Sequence, residues 1–137
     1  MDLRPVRWQF PADAGEWDDQ WLVIDGTVDL GDRTWSFTDP CLLIGEAHDL
    51  TAWLRQVAAG RVGLSLSFIE PVLSLSAAAC GDELVVRFSF TAEAAAPWPR
   101  ENNPVELRVR PAQILAAADD WQRELDALPS RSFTSTE

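Results

Sequence analysis

Leu73-Ser74-Leu75-Ser76-Ala77-Ala78-Ala79-Cys80-Gly81-Asp82-Glu83-Leu84-Val85-Val86-Arg87-Phe88-Ser89-Phe90 reads as two alternating runs joined by a turn at Cys80-Gly81-Asp82-Glu83. Successive side chains of a strand point to opposite faces, so Leu73, Leu75 and Ala77 share one side and Ser74 and Ser76 the other. After the turn, Leu84, Val86, Phe88, Phe90 and Ala92 make an inward row, with Arg87, Ser89, Thr91 and Glu93 outward. A parallel sheet covered on both faces reads as unbroken apolar runs; one-sided alternation points to an antiparallel sheet with one face on a core.

The same pattern extends upstream. Val62, Leu64, Leu66 and Phe68 alternate with Gly63, Ser65, Ser67 and Ile69, the clearest strand signal in the chain, until Glu70-Pro71 interrupts it. Glu70 reads either as a bulge residue whose carboxylate accepts backbone or Arg hydrogen bonds, or as a binding acid presented at a sheet edge. The structural reading is preferred because Pro71 marks an interrupted or edge position. Gly45 to Ala59 is an amphipathic helix with Ala47, Leu50, Leu54, Val57 and Ala58 as its stripe, Trp53 at the stripe's edge and Gly60 as its stop. Trp21 to Leu30 puts Leu22, Ile24, Val28 and Leu30 on one face and Asp25, Thr27 and Asp29 on the other. Gly26, in the inner row, marks a bulge or a close backbone approach. Gly31-Asp32 turns the chain so that Arg33 to Thr38 pairs back with Trp35 and Phe37 inward, and Asp39-Pro40 ends that regularity. Cys41 to Ile44 fits either the end of that strand or the start of the helix, and a first strand covers about Leu3 to Phe10.

Downstream, three prolines make residues 96–104 a long connection. Val105, Leu107 and Val109 form a short strand, and Pro111 opens a closing helix with a stripe of Ile114, Ala118, Trp121, Leu125 and Leu128. The expected fold class is α+β: one domain over residues 1–137, its last eight residues a loose tail. It would have a single twisted, mainly antiparallel sheet of about six to seven strands, with two amphipathic helices packed on one face.

Twenty-two carboxylates face eleven cationic side chains, all Arg, for a net charge of −11, and the chain has one His, two Cys and no Tyr. Little catalytic equipment remains. His48 lies off the helix stripe and reads as a solvated residue. Asp18-Asp19, Asp119-Asp120 and Asp29 with Asp32 are paired only in sequence, and adjacent helix residues diverge by about 100°. Gly60-Arg61-Val62-Gly63 follows a helix instead of opening one, so it offers no phosphate cradle. Cys41 and Cys80, with no second His nearby, read as small buried hydrophobes. No enzyme activity, metal or cofactor is expected. The opening residues lack a signal peptide's apolar core, and no run reaches the roughly 18–20 apolar residues that span a membrane, so a cytoplasmic protein is expected.

Seven Trp divide into two sets. Trp35, Trp53 and Trp121 fall on or beside core faces, whereas Trp8, Trp17, Trp21 and Trp98 lie at strand ends or in loops. The second set reads as anchors among carboxylates, or as rings that fold back over helix ends.

Several segments, in this order, resemble the WapI-type immunity proteins: Trp21-Leu22-Val23-Ile24-Asp25-Gly26-Thr27-Val28, Trp35-Ser36-Phe37 with Asp39-Pro40-Cys41-Leu42, and Trp53-Leu54 through Ala59-Gly60. Phe68-Ile69-Glu70-Pro71-Val72-Leu73-Ser74, Pro97-Trp98, and Trp121 with Glu124-Leu125 continue the resemblance, which spans about residues 18–131. It implies a small cytosolic, non-enzymatic bacterial protein that neutralises the toxic domain of a cell-wall-associated, contact-dependent toxin. No binding residue is carried over from the family.

Charge gives an independent argument for the same partner. A nuclease surface is cationic because its substrate is a polyanion, and a strongly acidic protein docks on it at a steered rate. The expected contact residues are Asp13, Glu16, Trp17, Asp18, Asp19, Asp25, Asp29, Trp98, Asp119 and Asp120. Nucleic acid and membrane are not expected partners, and the oligomeric state is left open. The alternative is a ligand-binding or regulatory module with a pocket between sheet and helices.

Overall fold

The computed structural model describes residues 1–10, 20–31, 33–70, 73–91 and 105–129. Its elements are β1 (Asp2–Trp8), β2 (Trp21–Asp29), β3 (Thr34–Leu43), α1 (Ile44–Ala58), β4 (Ser65–Ser67), β5 (Leu73–Cys80), β6 (Glu83–Phe90), β7 (Val105–Val109) and α2 (Pro111–Asp126). The α+β class and both helices match expectation, but the single sheet does not. The strands form two antiparallel sheets, β1-β2-β3 and β4-β5-β6-β7. Alternation reports which side of a strand is apolar and is silent on which strand lies beside it. Here α1 intervenes between β3 and β4, and among the described residues no ladder connects the two groups.

Side chains join the sheets instead. The Phe90 ring on β6 meets Trp35 edge-on at 5.8 Å and Phe37 at 5.8 Å, both from β3, while Phe88 stacks beside it at 6.2 Å. Leu22, Ile24 and Val28 of β2 are fully buried in the same cluster, which also takes Ala47, Leu50, Trp53 and Val57 from α1 and Ile114, Trp121 and Leu125 from α2. Each large apolar side chain so buried contributes about 1.5–3 kcal/mol. The ion pairs among the described residues are at least 40% exposed at each side chain, where such pairs are worth only about 0–1 kcal/mol. The core holds the fold.

Gly26 is the close approach its position suggested. The Phe37 ring lies across it, so a methyl group there would overlap that ring and meet Leu3 at 3.0 Å. Leu30, expected inward, is 47% exposed because β2 ends one residue earlier and the turn begins. That turn is closed by Asp29, whose carboxylate accepts the Gly31 N–H at 2.8 Å, with Gly31 at φ 91°.

Asp39-Pro40 does not end β3. The strand runs on to Leu43, with Leu22 opposite Leu42 and Ile24 opposite Asp39, so β3 carries one extra residue. β3 is an edge of its sheet, and a bulge on an edge strand absorbs a proline that can donate no hydrogen bond. The strand it ends delivers Leu43 as the residue before α1, and Glu46 turns back to accept the Leu43 N–H at 3.0 Å. Gly60, at φ 92°, stops the helix as expected. Trp53, placed at the stripe's edge from sequence, is only 4% exposed.

The other correction concerns residues 62–69. Only Ser65–Ser67 pairs as a strand, and Leu64 and Ile69 are 43% and 65% exposed. Gly63, at φ 87°, bends the chain before it. On either side α1 claims the backbone: the Trp53 indole donates to the Leu64 carbonyl at 3.1 Å, and Glu46 accepts the Ile69 N–H at 2.8 Å. Gly63 still donates to the Ala77 carbonyl of β5 at 3.2 Å, but regular pairing is confined to Ser65–Ser67.

Two predictions follow from this packing. Gly26→Ala should destabilise the protein by about 1–3 kcal/mol in urea unfolding, the usual cost of forcing extra volume into a core. Combined with Phe37→Leu it should lose less than the sum of the two single changes; strict additivity would mean the ring is not what excludes the methyl.

Cys41 is fully buried, and burial first, then the charge of Asp39, raises its thiol from 9.0 to about 12. An acid held protonated in the fold but free to ionise when unfolded makes stability fall as pH rises, here between about 9 and 12. With no Lys and no Tyr in the chain, few other groups titrate in that window. Unfolding free energy should drop by up to about 1.4 kcal/mol per pH unit there, and Cys41→Ala should flatten the slope.

Candidate protein-binding surface

The outward row of β2 carries Asp25, Thr27 and Asp29, all exposed. Asp25 lies between Arg4 of β1 and Thr38 of β3 in the register, and the Thr38 hydroxyl donates to its carboxylate at 2.6 Å. Arg4 itself pairs with Asp2 at 3.0 Å. Asp29 also accepts the Thr34 hydroxyl at 3.4 Å, so it serves the hairpin turn as well as the surface.

On α2, Asp119 and Asp120 diverge as helix neighbours must. Asp119 reaches Arg55 of α1 at 3.4 Å, and Asp120 pairs with Arg123 one turn on at 2.7 Å. Both are exposed. Asp13, Glu16, Trp17, Asp18, Asp19 and Trp98 lie outside the described residues.

A cleft of about 420 Å³ opens where β1, the two helices and the second sheet meet. Leu3, Leu54, Leu75, Phe88, Leu107 and Trp121 are among the residues that floor it, and Asp2, Arg4, Asp120, Arg123 and Glu124 stand at its rim. The rim therefore connects the two acidic groups: Arg4 sits opposite Asp25 in the sheet and borders the cleft with Asp120. Sequence reading missed Asp2, Arg4 and Glu124. The alternation of β1 puts Asp2 and Arg4 outward, a signal that was available, whereas the convergence of residues 2 and 124 on one cleft is a tertiary fact.

The tryptophans sort by what their N–H groups do. Trp121 is buried and donates to the Ala47 carbonyl of α1 at 2.8 Å; next to this tie, the buried Thr51 hydroxyl donates to Gln122 at 3.0 Å. Trp8 is half-buried and donates to the Pro129 carbonyl at 2.9 Å, beyond the end of α2. That ring covers a helix end, which is the second of the two readings offered for it. Trp21, at the start of β2, is half-buried.

Charge on α2 runs against the helix. Its first turn has no acid, while Asp119, Asp120, Glu124 and Asp126 crowd its second half against the single cation Arg123. The partial charge at a helix C-terminus is already negative, so carboxylates there oppose helix stability. His48, the sole histidine, is exposed on α1. Among the described residues, no group of three His, Cys, Asp or Glu is placed to hold a metal ion, and no helix is long and apolar enough to cross a membrane.

Comparison with known proteins gives one match. The family model described as the immunity protein WapI-like family matches residues 1–129. No curated protein and no solved structure matches the chain. A match over 129 of 137 residues is nearly the whole chain, and the protein accordingly belongs to the immunity protein WapI-like family.

Proposed function

We propose that this immunity protein binds and neutralises a basic, nuclease-like toxin domain in the cytoplasm, acting by occlusion and not by catalysis. Its docking surface runs from Asp25 and Asp29 on the outer face of the first sheet, past the cleft rim, to Asp119, Asp120 and Glu124 on α2. The observation that carries this reading is the reversed charge of α2. Glu124 and Asp126 lie in its last turn, where a carboxylate opposes the helix dipole. With Asp119 and Asp120 they set four acids on α2 against the single Arg123, a net negative field. The arginines of β6 and β7 differ: Arg87 pairs with Glu106, and Arg108 lies 4.0 Å from Glu83. Acids and arginines on the later strands thus balance, whereas on α2 Asp119 and Asp120 pair with Arg55 and Arg123 and the charges of Glu124 and Asp126 are left in excess.

The cleft supports a second reading, a ligand-binding module. Its charged groups stand at the mouth, where Asp2 pairs with Arg4 and Asp120 with Arg123. A ligand inside would meet an apolar floor with few groups to orient it, and specific small-molecule sites rely on such groups. The toxin reading is therefore preferred.

The test takes as partner the C-terminal domain of a large secreted protein encoded by a neighbouring gene, and the lack of any such gene would itself count against the reading. That domain's association with the protein should slow by about tenfold or more between low and high salt, as electrostatically steered encounters do. Neutralising Asp119, Asp120, Glu124 and Asp126 to their amides should slow it at low salt, while Glu124→Gln alone should leave the fold slightly more stable. Association that is indifferent to salt, or cells that die despite co-expression of this chain with the toxin domain, would sink the proposal.

A further inference from the structure

The edge at β4 combines four features. It is the outermost strand of the second sheet among the described residues, and antiparallel pairing uses the N–H and C=O groups of only alternate residues, so others face away from β5. Exposed edges are usually blunted by charge or proline, yet Ser65-Leu66-Ser67 carries neither. Leu64 and Ile69 flank it, and Ile69 is the most exposed large apolar side chain in the described residues, at 65%.

The backbone beneath those side chains is pinned. Trp53 holds the Leu64 carbonyl, Glu46 holds the Ile69 N–H, and Phe68 between them is buried in the core. Side chains presented from a fixed backbone lose little entropy on binding. Acids predominate beside Ile69, while the cation in register with Ser65 through Ser76, Arg87, is paired with Glu106. No cationic residue occurs between Arg61 and Arg87, whereas Glu70 is exposed next to Ile69, and the charges of Asp39, Glu46 and Glu70 all act on Cys41.

We propose that this edge receives an extended, basic segment of the toxin domain as an added strand, with Leu64 and Ile69 gripping its apolar side chains and Glu70 a basic one. Strand addition draws affinity from main-chain hydrogen bonds and specificity from flanking side chains. The inference rests on the toxin-binding reading above and adds a main-chain contact at β4 to the acidic surface described there.

The experiment is amide hydrogen exchange on the full chain with and without the neighbouring gene's toxin domain, beside affinity measurements on Ile69→Asp and Glu70→Arg. Exchange at residues 65–67 should slow by about tenfold or more in the complex. Each substitution should weaken binding by about tenfold, and both chains should melt close to the parent because neither side chain packs in the core. A complex that forms with unchanged exchange at 65–67 and full affinity in both variants overturns the inference and leaves toxin binding intact. If the parent chain shows no complex at all, both fail together. Slowed exchange in the protein alone, rising with concentration alongside a dimer in light scattering, gives the edge to a second copy and also overturns the inference.

Discussion

The ring of Phe90 stands where two sheets that share no backbone hydrogen bond among the described residues are held together. Trp35 meets its edge, Phe37 leans on it, and Phe88 lies parallel beside it. Phe37 reaches that position only because Gly26 leaves the space above β2 empty. Removing a side chain there costs more than its own area, since aromatic pairs add about 0.5–1.5 kcal/mol each beyond burial. The arrangement explains why a glycine is tolerated mid-strand, where it weakens the strand itself.

Tryptophan does a second job as a fastener. Three indoles reach across the molecule to main-chain carbonyls: Trp8 to Pro129, Trp53 to Leu64, and Trp121 to Ala47. Each places a large apolar surface in or against the core while its one donor is satisfied. No buried side-chain nitrogen or oxygen among the described residues lacks a partner. A chain rich in Trp can therefore close its helices on its strands with little buried polar cost.

Much of this was legible in the sequence. The rows of β2, β5 and β6 and the stripes of both helices follow their periodicities, because burial imposes those periods directly. The division into two sheets was not legible, since Leu75 and Leu22 show the same alternation whether or not their strands share a ladder. The shortening of β4 was hidden for a different reason: the competitors for its backbone, Trp53 and Glu46, are side chains of a helix. Of the candidate contact residues, Asp25, Asp29, Asp119 and Asp120 are exposed as their positions implied. Of their local partners, Gly31 and Arg123 stand at the short turn and helix spacings that pattern reading covers, whereas Thr38 and Arg55 lie at sequence distances that no pattern reveals. The cleft joining residues 2 and 124 belongs to the same class of fact.

Among the described residues every strand pairs only with its neighbour in sequence. The β2–β3 and β5–β6 pairings can begin as tight hairpins, whereas β1–β2 and β6–β7 must first close longer connections. The contacts that join the two sheets and the helices are made by side chains: Trp8 with Pro129, Thr51 with Gln122, Trp121 with Ala47, and Phe90 with Trp35. The assembly of the two halves therefore depends on aromatic and indole contacts, while strand register is settled within each half.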